Sequence, residues 1–408
     1  MDSHTSSYAG IDWGASEHRL CIIDQQGRTL LNRVIEHSSD GLAELLTLLR
    51  KHARDNRMRV AIERPNGVLV DTLSEAGYQV VAIHPNAVKA TRSRYRAASS
   101  KNDASDAYLL ADVLRTDGHR FSDLQPRSDE MRAIRRLSRA RSDLIKQRVS
   151  LSNQLAATLQ ASWPSAEGLF ADLASPIALA FLERYPSPRD TNGLGLKRML
   201  AFLKRNRYSG RQDASALIAH LKAAPVSLEG PLEAEASREV VLSLTRLLTN
   251  LVQRIKDLTS ALEHASAQST MGQLVMSFPR TGHTNAAQIV AELGDDPSRF
   301  TSRDQLASEA GLTPVTRASG KRHTVGFRYA CNKALRSAFT TWANNSRKAS
   351  PWAEAIYQKA RARGCRHPHA IRILARAWSR VLYACWTNGT LYDPTIHHAK
   401  HAQTTPTG

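Results

Sequence analysis

The chain has 408 residues, 42% of them hydrophobic, which is too many for one ordinary domain and enough to fill two or three cores. Its 56 lysines and arginines outnumber 37 aspartates and glutamates, a formal charge of +19; such an excess favours a polyanionic partner, nucleic acid first, with a generally basic soluble protein as the competing reading. No apolar stretch is long enough to span a bilayer, the start Met1-Asp-Ser-His-Thr has no signal-peptide pattern, and the scattered cysteines include no CxxC pair; these argue against a membrane span, secretion and a structural zinc site, and for a reducing cytoplasm.

In chain order, residues 8–12, 19–24 and 29–36 read as three strands, with Gln25-Gln26-Gly27 as the turn of a hairpin. Residues 41–54 carry Leu42, Leu45, Leu46 and Leu49 at helical spacing. A strand over 58–63, a helix over 68–76 ended by Gly77, and a strand over 78–83 stopped by His84-Pro85 follow. Three strands, a helix, then alternating strands and helices is the order of an RNase H-like domain. Two carboxylates end strands: Asp12 in Gly10-Ile-Asp12-Trp-Gly14, and Glu63 after Val60-Ala-Ile.

Asp103 and Asp106 stand three residues apart on a predicted helix that continues through Leu109, Leu110, Val113 and Leu114. That spacing points both to one side. Like charges there are unfavourable unless a cation neutralises them; an ordinary acidic first turn is the competing reading. Taken with the strand-end acids, Asp12, Glu63, Asp103 and Asp106 form the oxygen-donor set of a divalent-metal phosphodiester site, with Mg²⁺ (or Mn²⁺) as the cofactor.

From residue 127 the character changes. Arg132, Arg135, Arg136, Arg139, Arg141, Lys146 and Arg148 crowd one predicted helix, and the first four are read as nucleic-acid-binding. Its apolar seam is interrupted by Arg141 and Arg148. A cleaner seam runs through Val241, Leu244, Leu248, Leu251, Ile255, Leu258 and Leu262, the a/d pattern of a coiled coil within one chain or between chains. Between them, residues 163–235 are proline-rich and carry Lys197-Arg198 and Lys204-Arg205; short helices and loops are expected, either a nucleic-acid surface or a solvated region. A further domain begins near Met271, where Phe278-Pro279-Arg-Thr-Gly282 reads as a turn between helices. Such a turn presents backbone N–H groups to a phosphate, although packing alone also produces it. The histidine-containing tail after residue 395 reads as disordered.

Ser319 lies in Thr313-Pro-Val-Thr-Arg317-Ala-Ser319-Gly320-Lys321-Arg322. Gly320 permits close backbone approach, and Arg317, Lys321 and Arg322 are placed to hold a scissile phosphate. Ser319 is therefore a candidate nucleophile; the competing reading is a turn serine that only hydrogen-bonds a phosphate.

These motifs together resemble the DEDD transposases of bacterial insertion sequences, related to Piv-type DNA invertases and to the bridge-RNA-guided recombinases. Gly10-Ile-Asp12-Trp-Gly14, Ile62-Glu63 and Lys101-Asn-Asp103-Ala-Ser-Asp106 are similar to that family's RuvC-like tetrad. Phe278-Pro279 to Gly282, Ala291-Glu-Leu-Gly294, Arg299-Phe300 and Ala310-Gly-Leu-Thr-Pro314 are similar to its transposase domain, and Ala318-Ser319-Gly320 falls where the family carries a catalytic serine. The resemblance implies an α/β RuvC-like domain over 6–126, a basic helical, coiled-coil region over 127–268, a mostly helical transposase domain over 269–394 and a disordered tail over 395–408. It also implies Mg²⁺ held by the tetrad, covalent attack on DNA by Ser319, donor and target DNA as substrates, and a structured noncoding guide RNA. Tetramers whose composite sites share serine and acids between protomers, in the bacterial cytoplasm at the nucleoid, complete the expectation. The turn Pro279-Arg-Thr-Gly282 lacks the family's usual first glycine, and Lys321 replaces a second glycine after Ser-Gly. The alternatives are a Piv-like invertase or RuvC-like junction nuclease without an RNA guide, and a binding protein whose acids are structural.

Overall fold

In the computed structural model the described residues are all except 1–6, 54–57, 66, 93–102, 122, 125–127, 224–228, 321 and 396–408; the expected disordered tail falls almost wholly outside them. The chain divides into two compact units, Met1–Arg127 and Ser128–Gly408.

The first unit is built on one five-stranded sheet. β1 (Tyr8–Trp13), β2 (Glu17–Ile23) and β3 (Thr29–Glu36) form an antiparallel meander, while β4 (Arg59–Ile62) and β5 (Gln79–Ala82) run parallel to β1, giving the order β3-β2-β1-β4-β5. This is the strand order an RNase H-like domain requires. Alternate residues of β1 point to opposite faces. Ala9 and Ile11 meet Leu45 and Leu49 of α1 (Ser39–His52) and Leu69 and Leu73 of α2 (Val68–Glu75). α3 (Pro85–Arg92) was not expected; Pro85 stops the strand but fits a first helical turn. On the opposite face α4 (Asp103–Asp117) packs Leu109, Leu110, Val113 and Leu114 with Ala61, Val81 and Ile83.

Gly10 explains how closely α4 lies on β1. A methyl group there would collide with the Ala107 carbonyl oxygen, the Ala111 nitrogen and Leu110 Cβ, and two of these are backbone atoms that cannot swing aside. Gly10→Ala is expected to lower stability by about 1–3 kcal/mol through overpacking, read as a reduced urea midpoint.

In the second unit, α5 (Asp129–Ser162) and α10 (Pro231–Gln268) pair antiparallel. Met131 and Ile134 near the start of α5 share a core with Leu262, while Leu155 and Leu159 near its end share another with Val241, Leu244 and Leu248. Arg141 Nε donates to Thr259 Oγ1 at 2.6 Å between them. Leu251, Ile255 and Leu258, the middle of the sequence seam, are only half-buried within the single chain.

The proline-rich stretch between these helices forms short helices, as its spacing suggests. Its helices α6 (Pro164–Glu167), α7 (Pro176–Arg184), α8 (Leu196–Arg205) and α9 (Ala214–Ala223) pack an aromatic cluster onto the core shared by α5 and α10. Phe181 meets Trp163, Phe170, Tyr185 and Phe202 with ring centroids 5.2–6.1 Å apart, within the favourable range for edge and tilted contacts. The prolines start helices here: Pro164, Pro176 and Pro231 each occupy a first turn.

The remaining helices, α11 (Thr270–Met276), α12 (His283–Leu293), α13 (Arg303–Glu309), α14 (Lys333–Ser346), α15 (Pro351–Ala362) and α16 (His367–Asn388), surround the buried, stacked Trp342 and Trp378. A two-stranded hairpin, β6 (Val315–Ser319) and β7 (Arg322–Gly326), projects between α13 and α14 in sequence.

Candidate functional site

Topology places the acidic residues at one end of the sheet. Ile11 pairs with Ile62 across the parallel β1–β4 ladder, so Asp12 and Glu63 are the next residues at neighbouring strand ends. The residues after them also meet: the Arg64 guanidinium lies 3.9 Å from the Trp13 ring centroid, a cation–π contact that draws the two strand ends together. α4 runs antiparallel to β1, because Arg115 near its end donates to Gln25 O at 3.1 Å, while β2 pairs Ile23 with Tyr8. The helix start carrying Asp103 and Asp106 therefore faces the same sheet edge as Asp12 and Glu63. Asp12, Glu63 and Asp106 are half-buried; the side chain of Asp103 lies outside the described residues. Among the described residues no three His, Cys, Asp or Glu side chains are gathered closely enough to hold a metal ion. Carboxylate oxygens are the donor type that a hard divalent cation takes.

Support beneath this edge was not legible in the sequence. His18, buried in β2, hydrogen-bonds Gly14 N through Nδ1 at 3.4 Å and His37 Nδ1 through Nε2 at 2.8 Å. Burial first, then the neighbouring His37, lowers the His18 pKa. A neutral imidazole is what the Gly14 contact needs, since only an unprotonated Nδ1 accepts from the backbone. The available signal was a histidine in one strand and another just past the end of its neighbour, which carries no meaning without register.

Ser319 lies on a β-hairpin. It ends β6 and pairs with Arg322 of β7, so Gly320 follows the strand at the closed end of the hairpin. Gly320 has φ +54° with open space around its α-carbon; conformation, not crowding, calls for glycine. Ser319 is exposed at the hairpin tip. The side chains of Arg317 and Arg322 and all of Lys321 lie outside the described residues. Val315-Thr-Arg and His323-Thr-Val flanking a Gly-X pair was the missed hairpin signal.

The hairpin base is tied down. Arg328 Nε donates to Thr313 O at 3.3 Å across it. Asn332 caps α14 by accepting from Leu335 N, donates its amide to Glu292 Oε2 at 2.7 Å, and gives its backbone N–H to Glu309 O at 2.8 Å. Arg139 reaches the same buried Glu292 at 3.4 Å. Arg135 is drawn into this neighbourhood as well: burial, then Arg139, lowers its pKa, and its Nε is buried without a hydrogen-bond partner. Arg135, expected on a nucleic-acid face, is thus mostly withdrawn from solvent, and Arg139 is engaged by Glu292; Arg132 and Arg136 remain exposed, as do Lys197 and Arg198 on α8.

The turn before α12 has the expected form. Gly282 caps the helix at φ +75°, and Trp342 Nε1 donates to Pro279 O at 3.1 Å from beneath. Arg280 stands where the first glycine was missing and has φ +54°, a left-handed conformation that costs a non-glycine residue about 1–2 kcal/mol. Arg280→Gly is expected to stabilise the chain by about 0.5–1 kcal/mol, after the extra freedom of glycine when unfolded is subtracted. Because Arg280 is exposed beside the helix N-terminus, the same variant should reduce the salt slope of DNA binding by about one. Thermal unfolding and a salt titration check the two parts.

Comparison with known proteins agrees with these motifs. Residues 9–164 match a DEDD-type family model described as "Transposase", and residues 272–358 match one described as "Transposase IS116/IS110/IS902 family". The chain is 34% identical to the mini-circle putative transposase for IS117 of Streptomyces coelicolor, over 95% of each chain. It is 29% identical to a 44.8 kDa protein of insertion element IS116 from Streptomyces clavuligerus, over 96% of this chain and 97% of that one. A solved structure of T. thermophilus RuvC in complex with Holliday junction substrate aligns with 29% of this chain and 99% of its own, at 18% identity and TM-score 0.23.

Proposed function

This chain belongs to the IS116/IS110/IS902 transposase family, whose members cut and rejoin DNA, and from that premise we propose that it does so by covalent serine catalysis beside a metal-binding, RuvC-like domain. The observation that carries the reading is Ser319 at the exposed end of a hairpin whose base is fixed by Arg328, Asn332 and Glu292. A hydroxyl so placed can enter a DNA backbone without rearrangement of the core. Ser319 Oγ forms the new bond to phosphorus, the strand oxygen leaves and takes the proton, and the phosphodiester energy is kept for rejoining. Gly320 shapes the tip, and the cationic neighbours Arg317, Lys321 and Arg322 neutralise the phosphate.

Asp12, Glu63, Asp103 and Asp106 would hold Mg²⁺ or Mn²⁺. When bound, the cation neutralises charge developing at a scissile phosphate. Exposed Arg132, Arg136, Lys197 and Arg198 supply salt-dependent nucleic-acid affinity. The half-buried Leu251, Ile255 and Leu258 support a coiled-coil seam completed by further copies, as a dimer or tetramer. A structured noncoding RNA is the proposed guide to donor and target DNA, and the bacterial cytoplasm at the nucleoid the place of action; among the described residues no helix is long and apolar enough to cross a membrane.

The test is purified full-length chain, with its co-purified RNA kept or digested, on supercoiled donor and target plasmids. Recombinant joints that vanish after RNase treatment are expected. Joints unaffected by RNase would move the reading to a Piv-like invertase, and nicks without joints to a junction nuclease.

A further inference from the structure

We propose that the cleft between α14 and α16, with the aromatic pair that follows β7, binds a single-stranded stretch of DNA next to the Ser319 hairpin. The inference rests on the reading of the chain as a DNA-rejoining enzyme and adds a place for the unpaired strand that rejoining creates.

Two large rings lie beside the arginines of this cleft. Phe327 is 39% and Tyr329 77% exposed, and they meet edge-to-face at 4.9 Å between centroids. Leaving such area in water is unfavourable, and contact with Phe327 still leaves most of Tyr329 exposed. Arg336 of α14 and Arg372 of α16 both lie over the Phe327 ring, at 4.4 and 4.8 Å from its centroid. Two guanidinium groups are thus held beside one another, and neither has a carboxylate partner among the described residues. Arg336 is fixed by donating to Arg328 O and Cys331 Sγ, and its Nε is buried without a partner. Burial, then the charge of Arg336, pushes the Arg372 pKa down. This is a site that gains from an added anion.

The cleft continues the pattern. A hollow of about 400 Å³ beside Arg336 and Arg372 is walled on the α14 side by Thr340, Thr341, Asn344 and Asn345. A second, of about 420 Å³, shares Pro368 and Arg372 and adds Arg363 and Arg366. No Asp or Glu lines either hollow. Cations for phosphates, neutral amides and hydroxyls for base edges, and an exposed ring for stacking form the recognition set of a single strand. A duplex satisfies it poorly, because its base faces are already stacked and cannot meet Tyr329.

The spacing to the nucleophile is short. Ser319 pairs with Arg322, and Phe327 lies five residues beyond along an extended strand, about 17 Å at ~3.3 Å per residue. At ~3.4 Å per nucleotide of a stacked strand, a chain whose phosphate is at Ser319 reaches the cleft within about five nucleotides. The cleft therefore holds the flank of the strand being exchanged.

The experiment uses full-length protein and fluorescence anisotropy with a labelled oligothymidylate, a duplex of the same length and an oligouridylate. Tyr329→Ala combined with Arg372→Ala is expected to weaken oligothymidylate binding by roughly tenfold or more, with duplex binding within about twofold; Tyr329→Phe should retain the wild-type affinity. Equal loss on duplex and single strand, no loss at all, or tenfold tighter binding of oligouridylate than of oligothymidylate would each overturn the proposal. Adduct formation on a nicked suicide substrate is measured in parallel. Absence of an adduct in wild type would remove the serine mechanism while leaving the single-strand result standing, so the two failures are distinguishable.

Discussion

Ser319→Ala is expected to eliminate the covalent protein–DNA adduct and reduce strand rejoining by roughly 10³-fold or more, the scale on which loss of a nucleophile is felt. The fold should be unaffected. Ser319 is exposed at a hairpin tip, where a substitution changes stability by no more than about 0.5 kcal/mol. Alanine keeps the β6–β7 pairing and leaves Gly320, with its left-handed φ, in place. DNA affinity should stay within a few-fold, since the neighbouring cations are retained. Denaturing gels on a nicked suicide substrate provide the measurement, and Ser319→Cys gives a second variant because a thiolate can also attack phosphorus. An adduct surviving in Ser319→Ala would place the nucleophile elsewhere in the chain.

The sheet was largely legible in the sequence because its information is local. Apolar runs of strand length, glycine turns and the leucine spacing of α1 each fix one element, and their order fixes the topology. The positions of Asp12 and Glu63 were legible for the same reason: they lie at the ends of adjacent parallel strands. What escaped the sequence depends on contacts between distant residues. Pro85 reads as a stop, yet begins α3. The short helices expected over 163–235 are present, but their packing was not legible: three prolines start helices, and Phe181 centres an aromatic cluster among them. Arg135 counts toward a basic face by composition, whereas α12 brings Glu292 into its neighbourhood and packing withdraws it from solvent. The hairpin that carries Ser319 escaped the sequence, since a five-residue strand with Arg317 and Ser319 has little hydrophobic signal.

Asp106→Asn tests the other half of the chemistry and is expected to reduce metal-dependent strand cleavage by roughly 10²–10³-fold, the cost of removing one group that stabilises transition-state charge. Asparagine preserves the shape of the side chain at the start of α4, so the packing of Ala107, Leu110 and Ala111 on β1 should persist. The variant loses the negative charge that makes the edge attractive to a cation and repellent to a phosphate. Two measurements therefore move in opposite directions. With Mg²⁺ present, cleavage falls and more metal is needed for half-maximal rate. In EDTA, DNA affinity rises, because one repulsion of about 0.5–1 kcal/mol at ~6–8 Å in water has been removed. A merely structural aspartate would change neither quantity in this manner. Wild-type cleavage that continues in EDTA, or an Asp106→Asn enzyme that cuts normally at low Mg²⁺, would show that the acids at this sheet edge hold the fold and not a metal.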